Sequence, residues 1–146
     1  MKLVIAEPET EALELALRDV ERALSSEISE VEVTRAVRSR IGTKGDRRLG
    51  EVLANVELVT FDRRARTRAG EVDPRTLRSL DSIHIATALG LEYPDIVFVG
   101  YDPGVQAAAS AAGLVTASPG HANPGRANPG RASPGHANPG RANPGA

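Results

Sequence analysis

The chain has 146 residues, no cysteine, one methionine and a formal net charge of −1 at pH 7. The length suits one domain with a hydrophobic core, and the absence of cysteine excludes disulfides and thiolate metal sites. No apolar run approaches the length of a membrane span, and the apolar start of the chain is too short for a signal peptide, so we expect a cytoplasmic protein.

Helical and strand-like patterns alternate along most of the chain. Pro8 and the acids around it predict a first helix with an apolar stripe that runs to Leu24, and a short extended piece is predicted at residues 23–26. Further helices are predicted at residues 29–41, 47–53, 63–71, 77–90 and 106–112. Further strands are predicted at residues 56–61, 95–101 and 114–117. This alternation is typical of an α/β fold with a parallel sheet.

The composition changes abruptly at Ser118, where five-residue repeats such as NPGRA begin. Proline and glycine in these repeats favour turns, and without large apolar residues no core can offset the entropy of ordering. We therefore predict a domain at residues 1–118 and a disordered low-complexity tail at residues 119–146. All 19 Asp and Glu residues and 15 of the 18 Lys and Arg residues precede the tail, which gives the domain a net charge of −4.

Arginine and lysine cluster in two parts of the domain, at residues 35–48 and at residues 63–68. Clusters of this kind can bind phosphates of a nucleic acid. The alternative, a solvated helix face, is favoured by the sequence alone. Nucleic-acid binding without cleavage is therefore one function that the sequence leaves open.

Carboxylates stand at the ends of several predicted elements. Asp102 directly follows the strand at residues 95–101, and Asp62 follows the strand at residues 56–61. In parallel α/β sheets, sites lie at the carboxyl ends of the strands. Glu32 and Asp81 lie near the starts of predicted helices. A hard cation such as Mg²⁺ prefers oxygen ligands, so a few such carboxylates around one hollow could form its site.

Each of these acids also has a structural interpretation. Glu32 could close a capping box with Ser29, and Ser79 could cap the next helix and leave Asp81 in its first turn. Asp102 could start a turn or cap a helix.

The other candidate residues favour structural roles. Asp62 precedes four arginines and is most simply a helix cap or an ion-pair partner. His84, the single histidine of the domain, is more often a packed or hydrogen-bonded residue than a base. With one histidine and no cysteine, nucleophilic triads and zinc sites are disfavoured.

Four segments, taken together and in order, resemble the PIN-domain ribonuclease toxins of VapC type. They are AEPETEALELAL, SSEISEVEVTRAV, LRSLDSIHIATALGL and VGYDPGVQAAASAAGL, and the resemblance covers residues 1–118. It implies a three-layer sandwich with a central parallel sheet and a toxin that cleaves RNA with Mg²⁺ or Mn²⁺. Glu32, Asp81 and Asp102 match the family's metal-binding and catalytic acids. A cognate antitoxin and a homodimer are the implied partners.

One departure from the family pattern concerns its first strand, which ends in an aspartate. The opening residues, MKLVIAEPETEAL, match the segment after that strand, although residues 2–5 read alone could form a strand. Three alternatives follow: a start upstream of Met1, a truncation with impaired activity, or Glu7 in place of the missing ligand. The alternative function is a catalytically inactive PIN-like remnant that binds the antitoxin.

Overall fold

The computed structural model describes residues 1–121, in which helices and strands alternate. The α-helices are α1 (Thr10–Leu17), α2 (Ile28–Ile41), α3 (Asp46–Leu53), α4 (Arg63–Glu71), α5 (Ser79–Leu89) and α6 (Pro103–Ala111). The strands are β1 (Leu24–Ser26), β2 (Glu57–Val59), β3 (Val97–Val99) and β4 (Val115–Ala117), and a 3-10 helix spans Gly42–Gly45. The predicted α/β class is confirmed. The prediction of a disordered tail falls mostly on residues 122–146, which lie outside the described residues.

Two helices differ from their predicted bounds by three residues or more, and α5 begins at Ser79, two residues after its predicted start. The helix α1 ends at Leu17, and Leu24 begins β1 instead of continuing the apolar stripe. The helix α6 begins at Pro103, before the predicted start at Gln106, because Asp102 caps it and proline is tolerated in a first turn.

The strands form two parallel pairs. In one pair β1 lies beside β2, with Ser26 opposite Val59, and in the other β3 lies beside β4, with Val97 opposite Val115. Each pair needs a crossover connection, supplied by α2 and α3 in the first and by α6 in the second. Within residues 1–121, β1 and β3 each pair along one edge, so the expected central sheet consists of two separate halves.

The N-terminal segment forms a turn, so the strand considered at residues 2–5 is wrong. The amides of Val4 and Ile5 both donate to the carbonyl of Met1, a pattern that an extended strand excludes. The Lys2 ammonium donates to Glu7 and Glu9 at 2.7 Å each and lies 4.4 Å from the centre of a tyrosine ring, that of Tyr101. These contacts hold the segment against the domain.

The hydrophobic core is centred on α5 and α6. Ile85 and Ala86 of α5 and Ala109 of α6 are fully buried, and Phe98 of β3 packs against the same cluster. Alanines let the two helices approach closely, so the core contains few large side chains. The helix α5 also packs against β1 and α4, and it therefore connects both halves of the sheet.

Several helices begin at the carboxyl ends of strands. In each parallel pair a helix begins directly after the first strand, so α2 and α6 begin at the carboxyl ends of β1 and β3. The last residues of α4, α5 and α6 lie together around one shallow pocket, lined by Arg68, Leu89 and Ala111 among others. The helix α4 begins beside the start of α2, because it follows β2, the parallel neighbour of β1. None of the helices in residues 1–121 has the length and apolar character needed to cross a membrane.

Candidate active site

A direct contact joins one predicted site residue, Glu32, to the histidine for which the sequence favoured a packed or hydrogen-bonded role. The Nε2 atom of His84 on α5 lies 2.6 Å from Oε2 of Glu32 on α2, and both side chains are about one-third exposed or less. The predicted capping box is therefore wrong. The helix α2 begins at Ile28 after Glu27, and the Ser29 hydroxyl donates to the carbonyl of Ser26 at 2.7 Å.

Asp81 lies one turn before His84, in the first turn of α5. Residues three apart share a face of a helix, so Asp81 is a neighbour of the histidine that contacts Glu32. The prediction that Ser79 caps α5 is wrong, because Arg78 occupies the cap position and no side chain makes a capping bond. The positive end of the helix dipole favours the Asp81 carboxylate in this position.

Asp102 is the N-cap of α6, as one of its two structural interpretations predicted. Its Oδ1 atom accepts hydrogen bonds from the amides of Gly104 at 2.8 Å and Val105 at 3.0 Å. Both bonds use the same oxygen, and the residue is exposed. The cap fixes the direction of the carboxylate and leaves Oδ2 outside both bonds.

Asp62 has the structural role expected of it. It is the N-cap of α4, and its Oδ1 atom accepts a hydrogen bond from the amide of Ala65 at 2.8 Å.

Two residues at the end of β1 were missed by sequence reasoning. The Glu27 Oε1 atom accepts a hydrogen bond from the amide of Phe61 at 2.8 Å, which ties the start of α2 to the chain after β2. The neighbouring Ser26 is 2% exposed, and its hydroxyl has no hydrogen-bond partner among residues 1–121. No local pattern signals either feature, because the first joins residues that are 34 positions apart.

Glu7, the possible substitute for a missing ligand, is engaged by cations. Its two carboxylate oxygens lie 2.7 Å from Lys2 Nζ and 3.1 Å from Arg40 Nη1. The hydrogen bond from Lys2 holds the pKa of Glu7 below its usual range. These contacts disfavour Glu7 as a metal ligand.

The carboxylates have the donor chemistry of a site for a hard cation. Within residues 1–121 no three Asp, Glu or His side chains lie close enough to hold one ion, so Glu32, Asp81 and Asp102 do not form a group of three donors there. Mg²⁺ keeps several waters and often takes only one or two protein carboxylates. Glu32, which contacts His84, and Asp81, one turn before His84 on α5, are donors of the kind that a hydrated cation takes.

Comparison with known sequences decides the family. The profile of the PIN domain matches residues 1–109. The chain belongs to the PIN domain family. It is VapC-like, since it is 35% identical over 121 residues to ribonuclease VapC46 of Mycobacterium tuberculosis (strain ATCC 25618 / H37Rv), a match that covers 82% of this chain and 91% of the relative. This PIN domain corresponds to the described helices and strands except for β4, which lies beyond the matched residues.

Two further VapC ribonucleases are equally similar. VapC35 of the same strain is 36% identical over 126 residues, which cover 84% of this chain and 93% of the relative. VapC47 of M. tuberculosis (strain CDC 1551 / Oshkosh) is 36% identical over 124 residues, which cover 82% of this chain and 90% of the relative. No solved structure matches the chain significantly.

Proposed function

We propose that this VapC-like PIN domain is an endoribonuclease and the toxin of a toxin–antitoxin pair. The observation that carries the proposal is the 2.6 Å contact between His84 and Glu32, with Asp81 one turn away on α5. The contact joins two helices that are separate in sequence, and Asp81 lies on the same face of α5 as His84, which supports a site between these helices. The relatives, all named as VapC ribonucleases, support cleavage of RNA.

The residues that would hold Mg²⁺ or Mn²⁺ are Glu32 and Asp81, and Asp102 would do so only through the waters that such a cation keeps, since the three do not form one group of donors within residues 1–121. Such a cation, when bound, supplies positive charge for the phosphodiester and lowers the pKa of a water ligand. His84 orients the Glu32 carboxylate through their hydrogen bond, which makes it a positioning residue. The cap of α6 fixes the Asp102 carboxylate with its Oδ2 atom outside the capping bonds.

A cognate antitoxin protein, a homodimer and a cytoplasmic location belong to this proposal because they accompany VapC toxins. Co-purification with the antitoxin and light scattering of the purified chain test the two assembly statements. A monomeric chain that does not bind the antitoxin would contradict both assembly statements.

Cleavage of a structured RNA in the presence of Mg²⁺ tests the activity. We expect cleavage by the wild-type chain and none by Asp81→Asn, which removes one carboxylate charge without changing the shape of the side chain. Asp62→Asn is the matched control, because Asp62 also precedes a helix at the end of a strand but only caps it. If the wild type and Asp81→Asn leave the RNA equally intact, the proposed activity is refuted.

A second function is a non-catalytic module that binds the antitoxin. It is favoured by one observation, that residues 1–121 contain no group of three metal donors. It predicts retention of the antitoxin together with no detectable binding of Mg²⁺ or Mn²⁺ by calorimetry. Tight binding of either cation would refute this alternative.

A further inference from the structure

The helix α4 presents an unusual concentration of positive charge. Four of its nine residues are arginines, and three of these, Arg63, Arg64 and Arg66, are exposed and have no ion-pair partner within residues 1–121. The fourth, Arg68, is partly buried, and its Nη1 atom lies 3.5 Å from the carbonyl of Ala86. A further exposed arginine without an ion pair in the described residues is Arg78, at the cap of α5.

The positions of these charges oppose the stability of α4. Arg63 and Arg64 lie in the first turn, where the helix dipole favours anions and disfavours cations. Arg63 and Arg66 are three residues apart, so their like charges repel across one face. Asp62 provides a cap at Oδ1 but forms no ion pair with either neighbour within residues 1–121. Uncompensated charge of this kind indicates a site that is retained for binding.

Three arginines of the other basic cluster behave differently. Arg38 pairs with Asp46 at 3.0 Å, and Arg47 pairs with Glu51 at 2.7 Å. Arg40 lies 3.1 Å from a carboxylate oxygen of Glu7, as described above. The charges of these three arginines are compensated within the domain, whereas Arg35 and Lys44 of the same cluster are exposed and have no ion pair among residues 1–121.

The location of the unpaired arginines connects them to the candidate site. The start of α4 lies beside the start of α2, because β1 and β2 are parallel and Glu27 accepts a hydrogen bond from the Phe61 amide. In the next turn of α2, Glu32 contacts His84 of α5. Arg63 and Arg64 are in the first turn of α4, and Arg78 directly precedes the turn that contains Asp81. A polyanion bound at Asp81 therefore meets Arg78 in the adjoining cap position, and α4, which carries the other three arginines, packs against the same helix α5.

We propose that Arg63, Arg64, Arg66 and Arg78 form an arginine surface that binds the phosphates of the RNA. This inference rests on the proposed function and deepens it by naming the residues that hold the substrate's backbone. Arginine binds phosphate through a planar fork of donors, and exposed guanidinium groups without ion pairs lose no internal partner when they do so. Binding of this kind is independent of base sequence, so the arginine surface positions the RNA and leaves recognition of bases to other groups.

The test compares two triple variants that change the net charge equally. R63Q/R64Q/R66Q removes three charges of the arginine surface, and R38Q/R40Q/R47Q removes three charges that are paired in the domain. Arg78 is left intact because it adjoins the turn of Asp81. Binding of a fluorescein-labelled single-stranded RNA is measured by anisotropy in EDTA, so that no metal-dependent cleavage occurs, over a tenfold range of NaCl concentration.

Each phosphate contact to single-stranded nucleic acid contributes about 0.7 to the slope of log affinity against log salt concentration. We therefore expect R63Q/R64Q/R66Q to lower this slope by about 2, which means that the wild type loses about 100-fold more affinity over the salt range. We expect the paired-arginine variant to keep a slope close to that of the wild type. Equal slopes in all three proteins, equal losses in both variants, or no RNA binding by the wild type would each overturn the inference.

Thermal unfolding separates binding from folding. Removal of repelling charges from α4 is expected to leave the melting temperature of R63Q/R64Q/R66Q unchanged or higher. If R63Q/R64Q/R66Q binds RNA as the wild type does but no longer binds an acidic protein partner, the arginine surface belongs to that partner. This result would overturn the inference.

The inference and the proposed function can fail separately. RNA binding through the arginine surface without cleavage in Mg²⁺ would refute the nuclease and leave the inference intact. Cleavage by the wild type, together with unchanged binding and cleavage by R63Q/R64Q/R66Q, would refute only the inference.

Discussion

Asp102 has two proposed roles, as the cap of α6 and as a metal ligand, and two substitutions separate them. Asp102→Ala removes the acceptor of the Gly104 and Val105 amides together with the charge. Asp102→Asn keeps an oxygen in the capping position and removes only the charge, since asparagine caps helices about as well as aspartate.

The expected losses of stability and activity follow from the two capping bonds of Asp102. Loss of an N-cap costs about 1 kcal/mol, so Asp102→Ala should lower the free energy of unfolding by that amount. For a domain of this size the loss corresponds to a fall of about 4 °C in melting temperature. Asp102→Asn should stay within about 0.5 kcal/mol of the wild type, because only the interaction of its charge with the helix dipole is lost. If Asp102 is a ligand, Asp102→Asn should nevertheless lower kcat/KM for RNA cleavage by at least about 100-fold.

Asp62 provides the matched pair, because it caps α4 through one bond to the Ala65 amide. Asp62→Ala should lower stability by about 1 kcal/mol, and Asp62→Asn should change neither stability nor cleavage. The assays are urea-induced unfolding and initial rates of RNA cleavage in Mg²⁺. Full activity of Asp102→Asn would refute a role for Asp102 beyond capping. An equal loss of activity in Asp102→Asn and Asp62→Asn would show that the loss of a negative charge in general, and not the loss of a metal ligand, lowers the rate of cleavage.

Three further predictions concern stability. Ile85→Ala should lower the free energy of unfolding by about 2–5 kcal/mol, and Ile85→Val by about 1 kcal/mol, because the side chain is fully buried between helices. Equal effects of the two substitutions in urea unfolding would contradict this packing. Ser26→Ala should raise the free energy of unfolding by about 1 kcal/mol, since the buried hydroxyl has no partner among residues 1–121, and a fall would indicate a partner for it. The Lys2 contacts lower the pKa of Glu7 and Glu9, so their stabilisation is present above the ordinary value of 4.5 and is lost as the pH falls below it. Lys2→Met should reduce this acid-induced loss in thermal unfolding between neutral and acidic pH, and an unchanged pH profile would contradict it.

Much of the fold could be predicted from the sequence because its signals are local. The helix α4 lies at its predicted residues, and Gly90 ends α5 as expected. The cap by Asp62 follows from an aspartate between a strand and a helical run. The PIN-like family was also predicted, since its acids and the LDSIHIATAL segment have a fixed order along the chain.

The features that the sequence could not predict depend on contacts between distant residues. His84 and Glu32 are 52 positions apart, and their contact replaces the local capping box that the Ser29 pattern favoured. The turn at residues 2–5 depends on contacts as well. Their apolar character permits a strand, but the bonds to Lys2 and Met1 stabilise a turn.

The most direct test of the central claim measures Mn²⁺ binding by electron paramagnetic resonance in the full chain. The claim is that the contact between α2 and α5 brings Glu32 and Asp81 to one cation. Glu32→Gln and Asp81→Asn should each weaken Mn²⁺ binding by at least about tenfold, whereas Asp62→Asn should bind as the wild type does. Equal Mn²⁺ affinity in all four proteins would contradict the claim, as would a wild type that binds no Mn²⁺.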